Sequence, residues 1–332
     1  MARHRIDVGG GKPWLDIGSY GRSGPGRRDR LSPAQVEAIR WTVGRTPEVM
    51  VKMLNRGGQG TGAVARHFQY LDRDGDLPIH TDEGEELTGV KASAALIKDW
   101  DLDLEENRPA TADQEPREGA KPPKLVHKIL FSMPAGTPAK KVLEAVKNFA
   151  REEFGAKHRY AMVLHTDEPH PHVHLVVKAM GHDGKRLNIR RATLRGWRQQ
   201  FAKHLREQGV AANAADRQIR GVSKPQKPDG IYRAASRGAS THWEQRAQDV
   251  ARAIARGENK PEPVKAQLLA TRRDVVQGWS AVGDDLERQG YPELALAVKR
   301  FAWQLPPVRT EKEWIREQMQ QQRRVREQDR TR

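Results

Sequence analysis

The chain has 332 residues, room for one large or two ordinary domains, but only 36% are apolar and the mean hydropathy is −0.82, so a globular part with polar flanks is expected. Lys and Arg number 59 against 43 Asp and Glu, a formal charge of +16, which argues against an acidic-surface metabolic enzyme and for a polyanionic partner. There is no cysteine, which excludes disulfides, thiolate metal sites and cysteine nucleophiles; no apolar run approaches the roughly 18 residues of a membrane-spanning helix, and the start MARHRIDVGGGKPWLDIG lacks the apolar stretch of a secretion signal. A cytoplasmic protein facing nucleic acid is the expectation.

Residues 1–48 read as a basic arm with one helix, capped by Ser32, entered through Pro33 and stopped by Gly44. A core over 49–233 begins with a strand at Val49–Leu54, a glycine-rich link at 57–62 and a helix from Gly62 to about Leu71. Residues 72–118 hold 15 Asp/Glu against 5 Lys/Arg, and an acidic insertion is expected near 76–123. Leu125–Met133 reads as a strand, then a turn at Pro134-Ala135-Gly136-Thr137 and a helix from Pro138 to Phe154 with Val142, Val146 and Phe149 on one face. Two more strands, Tyr160–His165 and His172–Ala179, flank a six-residue loop. A helix over about Ala192–Gln208 follows, striped by Leu194, Trp197, Phe201 and Leu205, within a segment, 185–237, that holds 14 Lys/Arg against 3 Asp/Glu. Residues 234–332 read as a helical, polar extension with an Arg-rich tail. Strands interleaved with helices give an α+β fold: an antiparallel sheet with flanking helices and a mostly helical C-terminal extension.

Four of the twelve histidines lie in His165-Thr-Asp-Glu-Pro-His170-Pro-His172-Val-His174. On a strand, His172 and His174 share a face, and an antiparallel hairpin would set His165 opposite His172. A lone strand histidine is usually a surface or core residue. Three converging imidazoles instead suit a divalent metal and leave positions open for water or a phosphate oxygen. His170, between two prolines, would support a ligand, contact DNA or replace one of the three. Asp167 would orient a ligand, assist proton transfer or cap the loop.

Tyr70 falls off the Val64–Phe68–Leu71 stripe of its helix, roughly between Arg66 and His67. A tyrosine buried for packing would sit on the stripe; this one presents its hydroxyl elsewhere, beside cations that favour a phenolate.

Three blocks in order, HFQYLDRDGDLPI around Tyr70, FSMPAGTP around Ser132 and HTDEPHPHVHLVV from His165 to Val177, resemble the conjugative relaxases (mobilisation nucleases) of the histidine–hydrophobe–histidine endonuclease superfamily. The similarity is greatest to the P-type branch that includes the border-nicking relaxase of T-DNA transfer, and it spans about 49–215. It implies a plasmid- or element-borne enzyme that nicks origin-of-transfer DNA through Tyr70, leaving a 5′-phosphotyrosine and a free 3′-OH. It implies a metal on His165, His172 and His174, Mg²⁺ or Mn²⁺ in use, with Zn²⁺, Ni²⁺ or Co²⁺ able to bind. Ser132 would contact the strand or merely end its own strand of the sheet. Arg66, Arg190 and Arg191 are the candidates for DNA contact. Relaxosome accessory proteins and a type IV coupling protein would be partners, the Arg-rich tail an export signal, and the recipient cell a second location. Two rivals remain: a rolling-circle replication initiator, whose nucleophile usually follows the histidines, and a non-catalytic DNA-binding accessory protein. The sequence departs from the branch in its long preamble, its acidic insertion and Pro169, where an acidic residue is frequent.

Overall fold

The computed structural model describes residues 30–54, 60–106, 124–222, 241–256 and 262–330, the side chains of 242, 243, 254 and 322–330 aside. The chain divides into two compact units, Arg45–Ala214 and Met1–Gly44 with Ala215–Arg332.

Unit Arg45–Ala214 is built on a six-stranded sheet in which every pairing is antiparallel. Its strands are β1 (Met50–Met53), β2 (Ile79–Thr81), β3 (Glu86–Leu87), β4 (Val126–Ser132), β5 (Tyr160–His165) and β6 (His172–Lys178), in spatial order β1-β4-β6-β5-β2-β3. The central strands are apolar on both sides because helices cover both faces. On one face, α5 (Ala139–Phe154) and α6 (Arg191–Glu207) bury Val146, Phe149, Trp197 and Phe201 against Ile129, Phe131, Leu175 and Val177. Phe131 stacks 4.9 Å from Phe149 and 5.1 Å from Phe201. The α+β fold with an antiparallel sheet is thus the one expected, and α5 and α6 carry the expected stripes.

On the other face, α2 (Thr61–Leu71), α3 (Ala92–Asp99) and α4 (Leu102–Glu106) form a second core, in which Val64, Phe68, Leu71, Leu96 and Trp100 meet Val126, Ala161, Val163 and Val176. Here the structure corrects the expectation of an acidic insertion. Residues 76–106 close the sheet through β2 and β3 and supply α3 and α4. Their acids are part of the packing: Asp82, Glu83 and Asp99 converge on the half-buried Arg159. The remainder of that segment, 107–123, lies outside the described residues, as do the glycines at 57 and 58.

In the second unit, α1 (Pro33–Val43) has the expected cap: the Ser32 hydroxyl accepts from the Gln35 amide, and the Gln35 side chain accepts from the Ser32 amide in return. It is not a free arm, because Val36 and Ile39 share a core with Trp279, Val282, Leu286, Val298 and Phe301. Those come from α8 (Pro263–Arg288) and α9 (Pro292–Trp303), flanked by α7 (Thr241–Ala255) and α10 (Glu311–Arg330). The extension is helical, as expected; the arm up to residue 29 and the last two tail residues lie outside the described residues. Among the described residues no helix is long and apolar enough to cross a membrane.

Candidate active site

The loop 166–171 joins β5 to β6 in the register that the histidine spacing demands, with His165 opposite His172. His174 pairs with Val163 on one side and Leu130 on the other. All three imidazoles therefore stand on the sheet face that α2 covers. Their ligand atoms lie within 4.8 Å of one another, with ring centres 4.8–5.3 Å apart.

Hydrogen bonds orient two of the rings. His165 Nε2 donates to the Leu71 carbonyl at 2.7 Å, which leaves its Nδ1 lone pair free. His172 Nδ1 donates to the His170 carbonyl at 3.0 Å, which leaves Nε2 free. His174 Nδ1 is buried without a partner, an orphaned lone pair or N–H that a bound cation would explain. Burial first, then the neighbouring His165 and His172, pushes His174 down to about 2. Burial also lowers His165, against the bond to Leu71. Neutral imidazoles are what a metal requires, so the donor set fits a divalent ion. The His170 side chain is exposed in the loop and outside this cluster, and its backbone carbonyl is what orients His172.

Helix α2 brings the tyrosine. Val64, Phe68 and Leu71 are fully buried, so Tyr70 is turned outward and is 50% exposed, with exposed Arg66 one turn before it. The Leu71 carbonyl would be unsatisfied at the helix end, and His165 takes it. One bond thus ties the tyrosine helix to the histidine hairpin. Beyond the helix the chain reverses through Arg73, Asp74 and Gly75, all with positive φ. A Cβ at Gly75 would collide with the backbone of Gly89, so only glycine fits the turn.

That turn aims Arg73, which the sequence reading had not singled out. Its guanidinium lies 5.1 Å from the centre of the Tyr70 ring and pairs with Asp167. Burial works against the charge on Arg73, but Asp167 and the Tyr70 hydroxyl outweigh it, and its pKa is raised. Burial likewise works to raise Asp167, and Arg73 outweighs it, holding the carboxyl below its usual range. Asp167 is therefore engaged with Arg73.

Ser132 is buried and faces His172 across the β4–β6 pair, on the triad's side of the sheet. His67, one turn before Leu71, lies edge-on to His174 at 6.4 Å. Arg190 and Arg191 are not brought to the triad. They begin α6, whose apolar stripe packs on the opposite face of the sheet.

Residues 81–210 match the family described as relaxase, MobA/VirD2-like, nuclease domain. Among curated proteins, the T-DNA border endonuclease VirD2 of Rhizobium radiobacter is 26% identical over 199 residues, covering 53% of this chain and 44% of that protein. The same endonuclease from Agrobacterium fabrum (strain C58) is 25% identical, covering 53% and 41%, and that of Rhizobium rhizogenes 25%, covering 53% and 42%. The chain spans less than half the length of these relatives. The family match, the α+β fold and the histidine hairpin agree: residues 81–210 resemble a MobA/VirD2-like relaxase nuclease domain, and about half of the chain is similar to the T-DNA border endonucleases.

Proposed function

We propose that this protein is a relaxase that nicks one strand of origin-of-transfer DNA, with Tyr70 as the nucleophile. The observation that carries the reading is the His165–Leu71 bond, which couples the tyrosine helix to the three-histidine cluster. We assign the chemistry to unit Arg45–Ala214, in place of the wider span 49–233. The Tyr70 hydroxyl, giving up its proton, attacks the scissile phosphorus; the bond to the 3′ oxygen breaks, and that oxygen leaves as a free 3′-OH. The 5′ phosphate stays on the protein as a phosphotyrosine. A diester is exchanged for a diester, so the same site can rejoin the strand.

His165, His172 and His174 would hold a divalent ion, which when bound neutralises phosphate oxygens and favours in-line attack. Mg²⁺ or Mn²⁺ is the proposed working ion, although imidazoles bind Zn²⁺, Ni²⁺ and Co²⁺ more tightly. Arg73 stands against Tyr70 and offsets charge developing on the phenolic oxygen, and Asp167 holds Arg73 in place. Ser132 and Arg66 flank the site and would contact the strand. Arg190 and Arg191 would meet DNA only if it wraps to the other face. Relaxosome accessory proteins, a type IV coupling protein, a cytoplasmic location and passage to a recipient cell belong to the same proposal.

Incubation with single-stranded origin DNA and Mn²⁺ tests it. Covalent attachment abolished by Tyr70→Phe is the expected result. Attachment that survives this change places the nucleophile elsewhere, and none with any metal favours a non-catalytic DNA-binding role.

A further inference from the structure

Lys128 sits on β4, two residues before Leu130, which pairs with His174; its own partner is Val176, part of the core under α2. Its side chain therefore stands on the same face as the triad, diagonal to His174, where Cβ atoms lie about 7–8 Å apart. The residue is 5% exposed. Burial, then repulsion from Lys124, pushes it down to about 8, and no acid offsets either effect. Among the described residues no carboxylate or carbonyl takes its ammonium.

Two other partly buried lysines differ. Lys178 donates to the Trp100 carbonyl at 2.5 Å, and Lys265 to both the Val308 carbonyl and Glu313. A buried cation without a counter-charge is costly, and folded chains usually pair it. The Lys128 ammonium is not among the sealed, partnerless atoms, so its tip stays within reach of a ligand. An ammonium with no partner, on the triad's face of the sheet and with no acid acting on it, makes a seat for an anion.

We propose that Lys128 is a phosphate subsite of the nuclease domain that seats the phosphodiester next to the one Tyr70 attacks. The inference rests on the relaxase reading above. Its chemistry would suit a free phosphate as well; the spacing from the triad, one step along an extended strand, favours the DNA backbone.

The test uses the full chain and a (dT)12 oligonucleotide, whose binding requires no nicking, so the subsite and the Tyr70 chemistry can fail independently. The dissociation constant is measured against salt for the wild type, Lys128→Met and Lys128→Arg. One phosphate contact on a single strand contributes about 0.7 to the slope of log K against log salt. The expected result is a slope lower by about 0.7 in Lys128→Met, restored in Lys128→Arg, with the Lys128→Met protein melting at or above the wild-type temperature. An unchanged slope in Lys128→Met overturns the proposal. So does a lower slope with a lower melting temperature that Lys128→Arg fails to restore, which marks a structural lysine. Inorganic phosphate, titrated separately, distinguishes the sources: if it stabilises the wild type through Lys128 as strongly as the oligonucleotide does, the strand assignment is wrong.

Discussion

Replacing Arg73 by alanine separates catalysis from stability, because the two effects have different sizes. The Arg73–Asp167 pair is exposed, at 35% and 53%, and such pairs contribute about 0–1 kcal/mol to folding. The melting temperature should barely move. The charge that develops on Tyr70 during attack is another matter. A guanidinium 5.1 Å from the ring attracts a unit negative charge at that distance by about 0.8 kcal/mol in water and about 3 kcal/mol at an effective dielectric constant near 20. At 50% exposure Tyr70 lies between these limits. The rate of adduct formation should fall by between about 4-fold and about 200-fold. The assay is single-turnover attachment of an origin oligonucleotide with saturating Mn²⁺, read on denaturing gels. Added guanidinium should recover part of the lost rate. A wild-type rate in Arg73→Ala, or a slow rate that guanidinium leaves untouched while the protein melts several degrees lower, would refute the argument.

Asp167→Asn should act through the same arginine, slowing attachment less than Arg73→Ala and adding little to it in the double variant. His172→Ala and His174→Ala should abolish Mn²⁺ binding by calorimetry and metal-dependent nicking, while salt-sensitive DNA binding persists; nicking that survived in both would remove the three-histidine site. Lys128, lowered from 10.5 to about 8, predicts a pH dependence of stability. Between these values the unfolded chain binds more protons than the folded one, so stability should climb with pH across that window, by about 3 kcal/mol at most; the climb should be absent in Lys128→Met. Phe68→Ala, beneath Tyr70 in the α2 core, should cost about 3–5 kcal/mol in denaturant melts.

The histidine hairpin was legible because a period of two and a six-residue loop leave one register in which His165 meets His172. Helix α2 was legible for the same kind of reason: the Val64–Phe68–Leu71 stripe fixes the buried side and so turns Tyr70 outward. The strands β2 and β3, three and two residues long, are too short to show a period, so an acid-rich stretch that closes the sheet looked like an insertion. Arg73 and Lys128 were hidden for another reason. What marks them is a tertiary fact, a partner 94 positions away for one and none for the other, which local spacing does not carry. The basic run at 190–191 follows the hairpin in sequence, but it begins α6, whose apolar stripe packs on the opposite face of the sheet.

Mass spectrometry of the protein after reaction with origin DNA and Mn²⁺, followed by nuclease trimming and proteolysis, tests the central claim most directly. The account predicts a nucleotide phosphate on the peptide that contains Tyr70, lost in Tyr70→Phe. A modified Tyr232 or Tyr291, or cleaved DNA with no tyrosine adduct, would contradict it.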